Sequence, residues 1–183
     1  MTTLDVIAFA AVVLIALAWF LSYSAARLDR LHGRVEATYA ALDAQLVRRA
    51  EATLELATSG LLDPASGLVL AAAAADSLAH ADDSDERERA AVESDVTEAL
   101  AAVLTPEVVD ELRAVDGVPH DGLDRIGAAG TRVQLARRFH NDAVSDVRRV
   151  RRKGVVRVFR LAGRAELPDS IDFDDALPSP LRD

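Results

Sequence analysis

An uncharged, apolar run near the N-terminus constrains this chain more than any other feature. The 21 residues between Asp5 and Arg27 carry no charge, and residues 6–21 are apolar without exception. As a helix that rises about 1.5 Å per residue, this run spans roughly 30 Å, the thickness of the hydrocarbon core of a bilayer. The sequence therefore predicts a transmembrane anchor over residues 1–26.

A cleaved signal peptide is the main alternative for this segment. Ser24, Ala25 and Ala26 would suit a cleavage site. A secretory signal, however, carries positive charge before its apolar segment, whereas residues 1–5 carry only Asp5. The absence of that charge favours an uncleaved anchor.

The residues that flank the run predict its orientation. Arg27, Arg30 and Arg34 follow it, and no Lys or Arg precedes it. By the positive-inside rule, the N-terminus lies outside and the body of the protein lies in the cytoplasm, anchored to the plasma (inner) membrane. Trp19 and Tyr23 fall near the same boundary, where amphipathic rings favour the headgroup layer. The absence of cysteine from the chain fits a reducing compartment.

Composition and periodicity predict an all-α fold. Hydrophobic residues make up 50% of the chain but aromatic residues only 4%, and the apolar residues are largely Ala, Leu and Val. Apolar residues recur at helical steps from Leu28 to Leu56, directly after the anchor, and again from Ile126 to Val150. We therefore expect an all-α body whose first helix continues directly from the transmembrane anchor. This body covers residues 27–164, and residues 165–183 form an acidic, proline-containing tail that is irregular or disordered.

Capping and breaking residues predict where the helices begin and end. Ser59, Gly60 and the pair Asp63 and Pro64 end the first helix, and a second runs from about Pro64 to Leu78. Residues 82–85 offer caps for a third helix, and Thr105 and Pro106 begin a short fourth one that reaches Val115. The connection to the last helix is marked by Gly117, Pro119 and Gly122. Gly127 and Gly130 weaken the first turns of that helix, which favours a role in close helix packing over simple fraying.

Two motifs resemble the LemA family. Residues 34–37 and 42–49 are similar to its first-helix signature, and residues 136–144 are similar to its motif of an Arg pair, an aromatic residue and Asn-Asp near the C-terminal end. The chain departs from the family at Gly33, over residues 50–53 and at His140, as a divergent member would. The resemblance implies one membrane span and a cytoplasmic bundle of long antiparallel helices. It implies no activity, because the family has no well-established one.

Charge is strongly segregated along the chain, whose net charge is −9. Residues 61–130 contain 4 Arg and 16 Asp or Glu, whereas residues 131–164 contain 11 Lys or Arg and two Asp. If the last helix returns antiparallel to the first, its basic end lies near anionic headgroups. The predicted membrane-surface contact comprises Arg148, Arg149, Arg151, Arg152, Lys153, Arg157, Arg160 and Arg164. The alternative is a solvated face that neutralises the acidic middle segment.

The segment after the last long helix has the pattern of an interfacial helix. Over residues 154–163, basic residues alternate at helical spacing with apolar ones such as Val155, Val158 and Phe159. An interfacial helix lays such an apolar face into the headgroup region and keeps its cations outward. This pattern predicts a second, peripheral membrane contact.

Few residues suggest chemistry. Arg49, Arg137, His140 and Asn141 are predicted to meet between the first and last helices as a buried polar cluster, which more often specifies helix register than performs a reaction. The four histidines are scattered without metal-ligand spacing. Asp172, Asp174 and Asp175 suit loose cation binding less well than a mobile acidic tail. We predict no catalytic, cofactor-binding or metal-binding residues.

The predicted function is that of a non-enzymatic, membrane-anchored interaction module or accessory (scaffold) subunit of a larger membrane complex. Its partners would be the lipid bilayer and other membrane proteins, with homo-oligomers possible. Nucleic acid is not expected, because the chain is acidic, has few aromatic residues and contains no recognisable binding module. The alternatives are an enzyme with an unrecognised site and a peripheral lipid-organising protein that acts through the basic segment.

Overall fold

A computed structural model describes residues 3–81, 86–115, 121–154, 156, 159 and 167–182. Over these residues the chain forms helices and no strands, which confirms the predicted all-α fold. The helices are α1 (Thr3–Thr58), α2 (Pro64–Ala79), α3 (Glu86–Val103), α4 (Pro106–Ala114) and α5 (Asp121–Arg151), with a 3₁₀ turn at Ser179–Leu181.

The longest element, α1, confirms that the apolar run and the first bundle helix are one continuous helix. It extends over 56 residues. The hydroxyl of Ser59 donates to the Leu56 carbonyl at 2.7 Å, and Gly60 then adopts a φ of 76°. Glycine reaches this left-handed conformation at little cost, so it ends the helix where the sequence predicts.

Two of the predicted helix starts are confirmed by their caps. The Asp63 side chain accepts from the backbone N–H groups of Ala65 and Ser66. A hydrogen bond with the Ser66 side chain, followed by the bond from its backbone N–H, lowers the pKa of Asp63. The Thr105 hydroxyl accepts from the Val108 N–H at the start of α4. In both cases a proline occupies the first helical turn, where its missing N–H is not needed.

The connection before α5 is predicted less well. Helix α5 begins at Asp121, so Gly122 is helical and its predicted place in the connection is wrong. The Asp121 and Asp124 carboxylates in the first turn favour helix at this end because they complement its dipole. Gly117 and Pro119, and the capping residues 82–85, lie outside the described residues.

The chain divides into two compact units. Unit 1 comprises Met1–Ala37 and Asp142–Asp169, and unit 2 comprises Thr38–Asn141 and Ser170–Asp183. In unit 1, Leu28 packs with Val150 and Val156. In unit 2, a core of aliphatic side chains is drawn from all five helices, with Leu56, Leu70, Val96, Val109 and Ile126 among its buried members.

Residues 170–182 of the C-terminal tail pack within unit 2, and the tail is irregular, one of the two states that its composition predicts. Residues 167–182 have no regular secondary structure apart from the 3₁₀ turn, but Ile171, Phe173 and Leu181 are buried. A Cβ on Gly130 would collide with the side chain of Leu177, so this glycine permits close approach of the tail to α5. Gly130 therefore packs against the irregular tail, whereas the sequence predicts a role in close helix packing.

Candidate functional site

The first part of α1 exposes its apolar side chains on every side. Phe9, Ile15 and Trp19 are 68%, 70% and 72% exposed, and none of the most apolar 18-residue stretch of α1 is buried. Within the described parts of the chain, α1 is the one helix long and apolar enough to cross a membrane. An apolar surface of this extent normally requires lipid or another protein to cover it.

The basic end of α5 packs against α1 directly after the apolar run. Leu28, which follows Arg27 at the end of the uncharged run, is buried against Val150 and Val156. Leu31 packs on the same cluster. Asp146 of α5 accepts from Arg34 of α1 at 3.4 Å. Unit 1 therefore brings the cations of both helices together beside the apolar run, as antiparallel packing of the first and last helices predicts.

We call these cations the basic end. Those of α1 are Arg27, Arg30 and Arg34, and those of the described part of α5 and the turn after it are Arg148, Arg149, Arg151, Arg152 and Lys153. Arg27, Arg30, Arg152 and Lys153 are exposed. The predicted contact residues Arg157, Arg160 and Arg164 lie outside the described residues, as do Val155 and Val158.

Two of these cations, Arg148 and Arg149, bind carboxylates that lie outside the acidic middle segment. Arg148 donates to the Pro168 carbonyl at 2.9 Å and to the Asp169 carboxylate at 2.5 Å, and Arg149 lies 3.6 Å from Asp146. Both acids fall outside residues 61–130. These pairs therefore do not support the alternative in which the basic segment neutralises the acidic middle segment.

A second polar site, the α1–α3 ion network, is buried in unit 2. Arg49 is 3% exposed and donates to the Glu93 carboxylate at 2.6 Å and to the Thr97 hydroxyl at 3.0 Å. Glu93, which is fully buried, also accepts from the Ser77 hydroxyl at 2.5 Å and lies 3.1 Å from Arg89. Two cations thus share one buried carboxylate, an arrangement that stays stable only while all members are present.

The network extends from Arg89 to α1 and α2. Arg89 binds the Asp43 carboxylate at 3.1 Å and donates to the carbonyl of Ser77. Together, Arg49, Arg89, Asp43 and Glu93 carry two positive and two negative charges. Because the charges balance and the side chains are fixed by packing, the network is suited to holding α1, α2 and α3 in register rather than to reacting with a ligand.

The four residues of the predicted polar cluster, Arg49, Arg137, His140 and Asn141, bind different partners in unit 2. Arg49 binds α3, where Glu93 offers a buried carboxylate. His140 is buried with Nδ1 at 3.4 Å from the Thr38 hydroxyl, and its ring forms a T-shaped pair with Tyr39, with 5.7 Å between the ring centres. Asn141 and Arg137 bind the C-terminal tail, because its backbone and its carboxylates provide their complementary partners.

Sequence reasoning missed Arg89 and Glu93, although a signal was present. The apolar steps of the first helix pass over Arg49 between Leu46 and Thr53, which places an arginine on the buried face. In α3, Arg89 and Glu93 continue the spacing of Val96 and Leu100 toward the N-terminus. Charged residues of opposite sign on two buried faces predict a pair between those faces.

The described residues contain no group of three His, Cys, Asp or Glu side chains that could hold a metal ion. Asp172 and Asp175 are instead bound to Arg137 at 3.2 and 2.7 Å, and Asp174 accepts from the Ala176 N–H. Neither a protein-family model, a curated protein nor a solved structure matches this chain.

Proposed function

We propose that this protein is a membrane-anchored, non-enzymatic interaction module, or an accessory subunit of a larger membrane complex. The exposed apolar part of α1 carries the proposal, because its length and composition suit a bilayer core and no described side chain covers it. The motifs that resemble the LemA family support the same combination of one span and a cytoplasmic helical bundle. Arg27, Arg30 and Arg34 favour a cytoplasmic body.

Purification of the full chain from membranes in a mild detergent would test the interaction role. We expect the chain to co-purify with membrane proteins in fixed stoichiometry. Substitution of exposed side chains of the helical body should abolish this co-purification. A chain that is monomeric in mild detergent and turns over a small molecule would overturn the proposal in favour of an enzyme.

A second role, contact with anionic lipid, is favoured by the basic end. Its exposed cations from α1 and α5 lie beside the apolar run, and each cation near an anionic surface contributes about 1 kcal/mol. The packing of Leu28 against Val150 and Val156 holds the two groups of cations together. We propose that the basic end lies against anionic headgroups.

Reversing two of these charges would test the lipid contact. We expect Arg152→Glu with Lys153→Glu to reduce flotation of residues 27–183 with anionic vesicles at least about tenfold, because two favourable charges become unfavourable. The matched control is Arg132→Glu with Arg138→Glu, which makes the same charge change at exposed positions of α5 in unit 2. Equal flotation with neutral and anionic vesicles would contradict this role.

A further inference from the structure

The tail lies in a groove of unit 2 that binds its main chain. We call this surface the tail groove, formed by α1, α3 and α5 around residues 171–175. Asn141 holds Ile171 from both sides: its amide nitrogen donates to the Ile171 carbonyl at 2.9 Å, and its amide oxygen accepts from the Ile171 N–H at 3.0 Å. A two-way bond of this kind recognises any extended residue, since it uses only backbone groups.

Three further side chains continue the backbone recognition. Thr97 donates to the Asp174 carbonyl at 2.6 Å, and the Asp174 N–H donates to the Ser94 hydroxyl at 3.2 Å. Gln134 donates to the Asp175 carbonyl at 2.7 Å. Together with Asn141, these residues bind five backbone groups of a short extended segment.

The side chains of the tail add selectivity. Ile171 and Phe173 are buried with Leu42, Leu46 and Val133, and the space left beside them is about 10 Å³, no more than one water molecule needs. Alternate residues of an extended segment therefore fill the apolar part of the groove.

Arg137 binds the acidic side chains of the same segment. It binds the Asp175 and Asp172 carboxylates at 2.7 and 3.2 Å, and its guanidinium lies 5.6 Å from the centre of the Phe173 ring. The hydrogen bond to Asp175 raises the pKa of Arg137 further above its ordinary value. One arginine thus combines an aromatic contact with two acidic ones.

We propose that the tail groove is a peptide-binding site that the chain's own tail occupies, and that an extended segment of a partner protein binds there in its place. The tail defines the chemistry of that partner segment: an aliphatic residue, an acidic residue and an aromatic residue in succession, followed by a second acidic residue two positions later. This inference rests on the proposed interaction role and specifies the kind of segment that a partner protein would present.

The tail would then regulate access to the groove. A segment joined to the same chain competes at a high effective concentration, of the order of millimolar for a short flexible connection. A partner segment binds strongly only when its own local concentration is comparable, as beside a shared membrane, or when the tail is displaced. Because the contacts are mainly to backbone groups, a partner segment can reproduce them without copying the whole tail.

Cutting the chain before the tail allows binding of the tail to the groove to be measured as binding of a separate peptide. A protease site introduced within residues 160–165 of the full chain would be cut in detergent solution, and a fluorescent peptide of residues 167–182 then added. We expect the peptide to exchange into the cut protein and to bind the uncut protein at least about tenfold more weakly. A peptide with Phe173→Asp should bind the cut protein at least about tenfold more weakly than the original, whereas Ser170→Ala, at an exposed position, should leave affinity unchanged.

Substitutions in the groove provide the complementary test. Asn141→Leu and Arg137→Glu in the cut protein should each weaken peptide binding at least about tenfold, while Arg138→Glu, an exposed neighbour, should not. Absence of exchange, or equal affinity of the Phe173→Asp peptide, would overturn the proposal.

A second variant tests the proposal without cutting the chain, because cutting could unfold the protein. In the uncut chain, Ile171→Asp with Phe173→Asp should vacate the groove and increase capture of the added peptide at least about tenfold over the unsubstituted chain. No increase in a variant that keeps its helical circular dichroism would also overturn the proposal. If a peptide-binding test fails while the full chain still co-purifies with membrane proteins, the tail groove is rejected and the proposed function stands.

Discussion

Replacing Glu93 by Ala is expected to lower the free energy of unfolding of unit 2 by about 3–5 kcal/mol. The substitution leaves Arg49 and Arg89 buried without the carboxylate that they share, and it removes the acceptor of the Ser77 hydroxyl. Loss of one member of a buried ion network is costly because the remaining charges are neither solvated nor paired.

Chemical denaturation followed by circular dichroism would measure this loss. The matched control is Glu98→Ala, which removes the same charge from an exposed position on the same helix and should change stability by no more than about 0.5 kcal/mol. If Glu93→Ala and Glu98→Ala had equal effects, the ion network would not contribute to the stability of the folded unit.

Introducing two arginines into the apolar run is expected to have the second large effect. Val13→Arg with Leu14→Arg places two cations in the middle of the exposed part of α1. On the insertion scale each exchange of an apolar residue for Arg costs about 3–4 kcal/mol at the centre of a span, so the pair makes insertion about 6–8 kcal/mol less favourable. We expect the variant to leave the membrane fraction.

Alkaline extraction of membranes would measure the change. The control is Ala40→Arg with Ala44→Arg, which adds the same charges at exposed positions farther along α1. This control should remain in the membrane pellet. Retention of the Val13→Arg, Leu14→Arg variant would mean that something other than the apolar run holds the protein at the membrane.

Most of the helical architecture follows from local signals that are explicit in the sequence. Gly60, Asp63 with Pro64, and Thr105 with Pro106 each act through bonds to nearby backbone, so their positions predict the ends of α1 and the starts of α2 and α4. The start of α5 is predicted too late because Gly122 is a weak helix former that the aspartates of the first turn outweigh.

The contacts of the tail are the part of the fold that the sequence does not predict. Its prolines and carboxylates predict an irregular or disordered segment, but composition does not reveal that Ile171 and Phe173 pack in an apolar groove or that Arg137 binds their acidic neighbours. These contacts join residues about 30 to 130 positions apart, and such pairs leave no periodic signal.

The sequence predicts the basic end better than it predicts the partners of the polar cluster. The basic end is brought together within unit 1 by the antiparallel return of α5 to α1, which the resemblance to the LemA family implies. Of the predicted polar cluster, Arg49 binds Glu93 on α3, while Asn141 and Arg137 bind the tail. Helical periodicity assigns a residue to a buried face but does not say which partner faces it.

The most direct test of this account is the state of the unsubstituted chain in the membrane. After expression with its natural N-terminus, the membranes would be washed at alkaline pH, and the intact mass of the extracted protein would be measured. We predict that the protein resists the wash and retains residues 1–26. Release by the wash, or a mature chain that begins after the small residues 24–26, would contradict the membrane anchor on which the proposed function depends.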